Sequence, residues 1–390
     1  MSFSCSDLNR DATLQRQRKP FLCGGGVEKR RNTCQCNVII PNCGGFMITN
    51  PPSQKELRGH MPQRVTARAA ASAEHHADLA RRLQPRDLWL AQMLYEHKVL
   101  TSHQIAALAW PSIRAANMRL LPLYQWRLID RFQPFVTFGA APMHYVLDTA
   151  GAVAVAHETG LDLKDLAFRR DREMGRARSL QLAHTTGVNG VFAALVHRAR
   201  HDTELAVTAW WSETRCTRLF GDVVRPDAYG RISHGGRDFE WFLEFDFGTE
   251  SLTRLANKLA GYQRLATTTG IATPILVWLP TARRETGARA ALTRAMQALD
   301  QPDLVPVATT ATNIAAPESA LDPSTERWLP LTPQAPARVS MVNLTRVWPD
   351  ATVTLAQPPT TQTPSGLLPA PSPMPPAQPN YPLDGTRGQR

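Results

Sequence analysis

The sequence predicts a mixed α/β protein in which a small helical module bearing a β-hairpin precedes a larger layered sheet. Three observations carry that expectation. Between Pro85 and Leu147, three stretches with helical apolar spacing are followed by two short strand patterns around a Gly-Ala-Ala-Pro turn. From Thr185 onward, helix and strand patterns alternate as α-β-β-β-α-β with an extra α-β, the order of a mixed sheet with helices on its faces. Outside these stretches the composition changes. Residues 1–82 are rich in Gly, Pro and basic side chains with little periodicity, and residues 349–382 hold 11 of the 31 prolines.

Taken in order, the elements set four expected regions: a leader over 1–82, a helical module over 83–160, a sheet domain over 179–317 and a proline-rich tail over 318–390. Within the leader, the Ala-rich run from Val65 to Arg82 reads as a helix. Leu88, Leu90, Ala91 and Leu94 have helical spacing. Thr101 is placed to cap a second helix over Ser102–Leu108, because a hydroxyl satisfies free N–H groups of a first turn. Pro111 suits the start of a third helix, and Pro122 is expected to end it at Leu121, since the residue before a proline disfavours helix. Leu128–Val136 and Met143–Leu147 follow as hairpin strands, and Thr149–Thr159 as a closing helix. Three helices followed by a hairpin make a winged helix-turn-helix. In the sheet domain the expected elements are helix 185–200, strands 205–211, 221–227 and 239–247, helix 250–267, strand 274–279, helix 283–299 and strand 304–308. Proline fixes φ and removes a donor, so the tail is expected to be extended and disordered.

Composition narrows the function. The chain has 390 residues, 44 Lys and Arg against 33 Asp and Glu, and a formal net charge of +11. That excess favours a polyanionic partner, foremost nucleic acid. No run of 18 apolar residues and no apolar signal core appears, so no membrane span is expected and a cytoplasmic location is. Cys5, Cys23, Cys34, Cys36 and Cys43 crowd the leader, whereas Cys216 stands alone. Cys34-x-Cys36 with Cys43 reads either as a metal knuckle or as part of an unstructured leader, because the paired spacing of zinc ribbons is missing. A phosphate-binding Gly-rich loop ending in Gly-Lys-Ser/Thr is absent, so nucleotide use is not indicated.

The residues with most chemistry lie between Val223 and Lys258. Asp227 ends one expected strand. Glu244 and Asp246 lie two apart and share a face of the next, opposite Phe239, Trp241, Leu243, Phe245 and Phe247. Carboxylates gathered at strand ends suit a hard divalent cation such as Mg²⁺, which activates water against a phosphodiester. Lys258 would orient that water or offset developing charge. Glu213 is a further ligand candidate, and His184 and Asn189 are expected near the same edge. Each has a plainer reading: Glu250, Arg254 and Lys258 recur every four residues like a solvated ion-pair ladder, Asp227 precedes a turn-like Tyr-Gly, and an acidic strand face is often a solvent face.

In the helical module the third helix is the expected major-groove reader. Its polar positions are Ser112, Arg114, Asn117 and Arg119, with Gln125 and Arg127 just beyond. Arg pairs with guanine and Asn with adenine. Arg131 and His144 belong to the wing, and Lys98 and His103 flank the second helix as phosphate contacts.

Several of these segments together resemble a known family. They are Glu96-His-Lys-Val-Leu-Thr-Ser-His-Gln-Ile-Ala, Leu128-Ile-Asp-Arg-Phe, His144-Tyr-Val-Leu-Asp-Thr-Ala-Gly, His184–Asn189, Arg225-Pro-Asp and Glu244-Phe-Asp-Phe-Gly-Thr-Glu. Their order over about residues 85–300 resembles the replication-relaxation family of bacterial plasmids and integrative elements. The strand order with Pro226-Asp227 resembles the PD-(D/E)xK nuclease superfamily. The resemblance implies a restriction-endonuclease-like domain after the winged helix. It also implies a protein that binds double-stranded DNA in plasmid replication, relaxation or transfer, with a relaxase or replication protein as partner. Two alternatives stand beside it: a Mg²⁺-dependent endonuclease or nickase, and a non-catalytic scaffold docking on DNA or a relaxase. The family's Glu-x-Lys signature is altered, because Asp246 holds the lysine position. The lysine role then falls to Lys258 on the following helix.

Overall fold

The computed structural model describes residues 64–136, 139–179, 181–270, 272–314, 320–332, 337–349 and 367–377. Cys5, Cys23, Cys34, Cys36 and Cys43, and with them the metal-knuckle expectation, lie outside the described residues. The described chain opens with two short helices, α1 (Ala67–Ala70) and α2 (Ala73–Arg82), in place of one continuous helix. The break falls at Ser72, whose side chain leaves the helical path to accept from the His75 N–H as a cap.

The helical module follows as α3 (Pro85–His97), β1 (Leu100–Thr101), α4 (Ser102–Ala109), α5 (Ile113–Gln125), β2 (Ile129–Phe132), β3 (His144–Leu147) and α6 (Thr149–Glu158). Thr101 caps α4 as expected, and Gln104 answers it through a reciprocal capping box. The three strands pair antiparallel in the order β1-β3-β2. Pro122 does not end α5. The helix carries it internally and runs on to Gln125, because the turn beyond it buries Leu123 and Tyr124 in the core. Apolar burial there outweighs the lost hydrogen bond.

After α7 (Arg170–Gly175) and α8 (Leu182–Ala199) the larger sheet begins. Its elements are β4 (Leu205–Ser212), α9 (Glu213–Phe220), β5 (Ala228–His234), β6 (Arg237–Phe245), α10 (Leu252–Thr269), β7 (Ile275–Leu279), α11 (Ala282–Gln297), β8 (Val307–Ala311) and β9 (Leu329–Pro330), with α12 (Leu344–Val347) behind. Six strands lie in sequential order β4-β5-β6-β7-β8-β9. The β4–β5, β5–β6 and β8–β9 pairs are antiparallel, and the β6–β7 and β7–β8 pairs are parallel. Helices α10 and α11 supply the crossovers that parallel pairs require. The β5–β6 hairpin turns on Gly235 and Gly236, both at positive φ, which a two-residue hairpin loop needs.

The second strand lies elsewhere than residues 221–227. Ser212 caps a helix, α9, that occupies Glu213–Phe220, and the strand starts at Ala228. Pro226 has no N–H for the ladder, so Asp227 stands immediately before β5 with its own N–H donating to the Leu243 carbonyl. Tryptophans fill one face of the sheet: Phe192 of α8 stacks on Trp210 at 5.0 Å and on Trp241 at 6.0 Å between ring centroids. Gly230 faces the Trp241 and Phe192 rings, and a Cβ there would stand 2.3 Å from Trp241 Cζ2. The same apolar cluster takes in Leu90, Leu94, Leu108 and Leu120, so the helical module and the sheet share one core. The opposite face packs Phe242 and Val277 under Leu259, Tyr262 and Leu292.

Polar groups fasten the junction. Glu96 of α3 and Arg215 of α9 form a buried two-pronged pair, Nε–Oε1 2.9 Å and Nη2–Oε2 2.8 Å, and Ser212 also donates to Glu96. Burial pushes the Glu96 carboxyl up, but Arg215, through its hydrogen bonds and charge, leads the groups that hold it down at about 2. Asn189 of α8 donates to the His97 and Val99 carbonyls.

The segment expected as an extended tail from 318 onward behaves differently wherever it is described. β9 continues the sheet, and Arg327 and Trp328 are buried. Arg338 pairs with Glu285 at 2.6 Å. Residues 367–377 lie back on α3 and α9. Proline content predicts an absence of regular hydrogen bonding within a segment, but it does not exclude docking on a surface that supplies donors.

Candidate functional site

At the edge where β5 begins and β6 ends, five chemically active side chains gather. Asp227 Oδ2 accepts from the Phe245 N–H at 2.7 Å and lies 3.1 Å from His184 Nε2 on α8. Glu244, in β6, is buried. Its Oε1 accepts from the Tyr262 hydroxyl at 2.5 Å, and its Oε2 pairs with Lys258. Lys258 and Tyr262 lie four apart on one face of α10, and both reach down to Glu244. The acidic face of β6 is therefore roofed by α10 and does not face solvent.

The electrostatics follow from one cation shared between two acids. Burial and the neighbouring Asp227 charge push Glu244 up to about 7, against the pull of Lys258 and Tyr262. For Asp227, burial also acts upward, but His184, Lys258 and the Phe245 N–H prevail and lower it. Burial disfavours the Lys258 charge, yet Glu244 and Asp227 together raise its pKa. The upward shifts of Glu244 and Lys258 are compatible: Lys258 gains from both carboxylates, whereas Glu244 bears its own desolvation and the Asp227 repulsion. Glu213, at the start of α9, is raised by burial and by Asp227. His184 is raised by Asp227 despite its burial.

Asp246 does not join this group. It is held in a fork by Arg284 at the start of α11, with Nη2–Oδ1 at 3.1 Å, and it accepts from the Gly248 N–H at 2.7 Å. The alternation that puts Glu244 and Asp246 on one face holds only within a strand, and β6 ends at Phe245. The expected Mg²⁺ set of Asp227, Glu244 and Asp246 thus does not converge. Among the described residues no three His, Cys, Asp or Glu side chains form a group that could hold a metal ion. With Asp246 held by Arg284 and Glu244 tied to Lys258 and Tyr262, these side chains as placed do not make a three-carboxylate centre. Asn189 lies away from this edge, against His97 and Val99. The Glu250–Arg254 pair exists at 2.9 Å, but Lys258 leaves that ladder for Glu244. Sequence reasoning missed Tyr262 and Arg284; the four-residue spacing from Lys258 was the available signal for Tyr262.

The expected DNA-contacting residues divide into two sets. Arg114 and Asn117 on α5 are exposed, as is His103 on α4. Arg119 instead clasps the fully buried Asp87 of α3, with Nε–Oδ1 at 2.9 Å. Arg127 donates to the Val65 carbonyl at 2.7 Å and faces Asp148 at 3.4 Å. It belongs to a cluster in which Arg64 and Arg170 also neutralise Asp130 and Asp148. Arg131 stacks over Tyr124 at 4.4 Å. Lys98 donates to the Tyr95 carbonyl at 2.6 Å. His144 is buried against Phe132, with its Nδ1 2.9 Å from the Pro142 carbonyl, and burial lowers its pKa to about 4. A basic residue on a polar helix face has no signature distinguishing a DNA contact from a partner for a buried acid. Asp87, Asp130 and Asp148 decide it.

No helix among the described residues is long and apolar enough to cross a membrane. No curated protein and no solved structure matches the chain. The replication-relaxation family profile matches residues 92–276, a segment that runs from α3 through the shared core to the start of β7. Over that segment the chain is similar to the replication-relaxation family.

Proposed function

We propose that the chain binds double-stranded DNA of mobile elements through a winged helix, with α5 as the reading helix. On this reading the larger sheet is a restriction-endonuclease-like core serving as a scaffold on DNA or on a relaxase or replication protein. The observation that carries it is the order α3-β1-α4-α5-β2-β3 with sheet order β1-β3-β2, which leaves Arg114 and Asn117 exposed while the other side of α5 is buried. The net charge of +11 is in keeping with a polyanionic partner. The test is duplex binding across a salt series with Arg114→Ala and Asn117→Ala. Each lost base pairing should weaken binding by about 1–3 kcal/mol, and each lost phosphate contact should reduce the salt slope by about 0.9. Unchanged affinity and slope in the double variant would refute the assignment.

A nuclease reading has one observation in its favour: Asp227, Glu244 and Lys258 share a single perturbed cluster, and perturbed carboxylates concentrate at functional sites. Against it stand the diversion of Asp246 to Arg284 and the lack, among the described residues, of a three-residue group that could hold a metal ion. Supercoiled plasmid incubated with Mg²⁺, Mn²⁺ or chelator separates the two. The scaffold reading expects no chelator-sensitive nicking; nicking that disappears in Asp227→Ala would overturn it.

A further inference from the structure

The segment 367–377 has five prolines, at 369, 371, 373, 375 and 376, and no regular secondary structure, yet Leu368 and Pro373 are buried. It is held through backbone carbonyls. Arg215 Nη2 donates to Leu368 O at 2.8 Å, Trp89 Nε1 to Ser372 O at 2.7 Å, and Arg86 Nη2 to Pro376 O at 3.2 Å. The accepting carbonyls recur every fourth residue, and Arg86 and Trp89 lie three apart on α3, hence on one face. Leu368 and Met374 insert into the shared core, and Ala370 packs on the opposite cluster. Beside Leu367 and Leu368 a small pocket is lined by Tyr95, Glu96, Arg215 and Arg218. An indole N–H and arginine donors aimed at carbonyls, with an apolar floor between them, suit a proline-rich strand. Such a strand offers acceptors but few donors, and it loses little entropy on binding.

We propose that the surface formed by α3 and α9 is a polyproline-recognition groove and that residues 367–377 are its ligand, held in cis as an exchangeable latch. The occupant is this chain's own tail, joined to α12 through residues 350–366. A covalently joined ligand feels an effective concentration of about a millimolar, so even a weak intrinsic affinity keeps the groove filled. Because Arg215 binds Glu96 and Leu368 with the same guanidinium, the latch closes over the ion pair that joins the helical module to the sheet.

A protease site placed within residues 350–366 of the full chain allows the tail to be severed after folding. The probe is a fluorescein-labelled peptide of residues 365–378, followed by anisotropy. After cleavage the protein should release its own tail on dilution and bind the peptide with a Kd below about 0.1 mM, a tenth of the effective concentration. The uncut chain should bind at least about tenfold more weakly, its groove being filled. Replacing Pro369, Pro371 and Pro373 of the peptide by Ala should weaken binding at least about fivefold, as should Trp89→Phe in the protein, which keeps a ring but removes the N–H. The peptide series leaves the protein untouched, so a misfolded Trp89→Phe variant would not decide the outcome. A severed tail that never exchanges would make the segment a fixed part of the fold and overturn the proposal. Equal binding by cut and uncut chains, or by the Ala peptide and its parent, would overturn it as well.

Discussion

His97 ends α3 inside the shared core, stacked on Trp210 with 3.7 Å between ring centroids, and neither ring nitrogen has a hydrogen-bond partner among the described residues. Burial is the main reason its pKa falls from 6.5 to about 3; the Glu96 carboxylate pulls the other way but is outweighed. The folded protein therefore keeps this ring neutral where the unfolded chain protonates it. The stability it contributes is fully present above pH 6.5 and is lost as pH falls from 6.5 toward 3. Between pH 7 and pH 5 the unfolded state gains most of one proton at this position and the folded state gains almost none, which costs about 2 kcal/mol. The result holds for any folded value below about 4. His97→Phe keeps the stack and removes the titration. The larger ring costs some packing energy, but that cost is the same at both pH values, so the difference of differences isolates the proton. Urea denaturation followed by circular dichroism at pH 7 and pH 5 should show the variant losing about 2 kcal/mol less than the wild type over that interval. Equal losses in the two proteins would refute the argument, because the folded ring would then be accessible to protons.

Three further outcomes are expected. Arg119→Ala should destabilise by about 3 kcal/mol or more, since it leaves Asp87 buried without its cation, whereas Arg114→Ala should stay within about 0.5 kcal/mol; thermal melts compare them, and a stable Arg119→Ala protein that had lost DNA binding would return Arg119 to the interface. Gly230→Ala should cost about 1–3 kcal/mol, because its Cβ cannot coexist with the Trp241 and Phe192 rings; a variant of native stability would contradict that packing. Millimolar Mg²⁺ should shift the melting temperature of the wild type and Asp227→Ala equally, since a native-state ligand site would stabilise only the protein that retains it; a rise that depends on Asp227 would restore a metal centre.

The sequence by itself determined the elements whose signals are local. Thr101 with Gln104 announces the start of α4, and the two-residue alternation of Phe239, Trp241, Leu243 and Phe245 gives β6 and its apolar face. The 3.6-residue spacing gives α10 together with Lys258 on it. The motifs between Glu96 and Glu250 carry the resemblance to the replication-relaxation family. Tertiary structure decided everything that depends on which partner a side chain meets. Pro122 stays inside a helix because Leu123 and Tyr124 have a core to enter. Arg119 and Arg127 turn inward because Asp87 and Asp148 are buried beside them, and a buried acid binds a guanidinium far more tightly than a solvated helix face does. Asp246 leaves Glu244 because the strand ends one residue too soon and Arg284, 38 residues later, lies at hand. The docking of 367–377 rests on donors from Arg86, Trp89 and Arg215, more than 150 residues away. Periodicity and capping act within a few residues and can be read along a chain. Charge pairing and burial act through space, and only the folded arrangement assigns them.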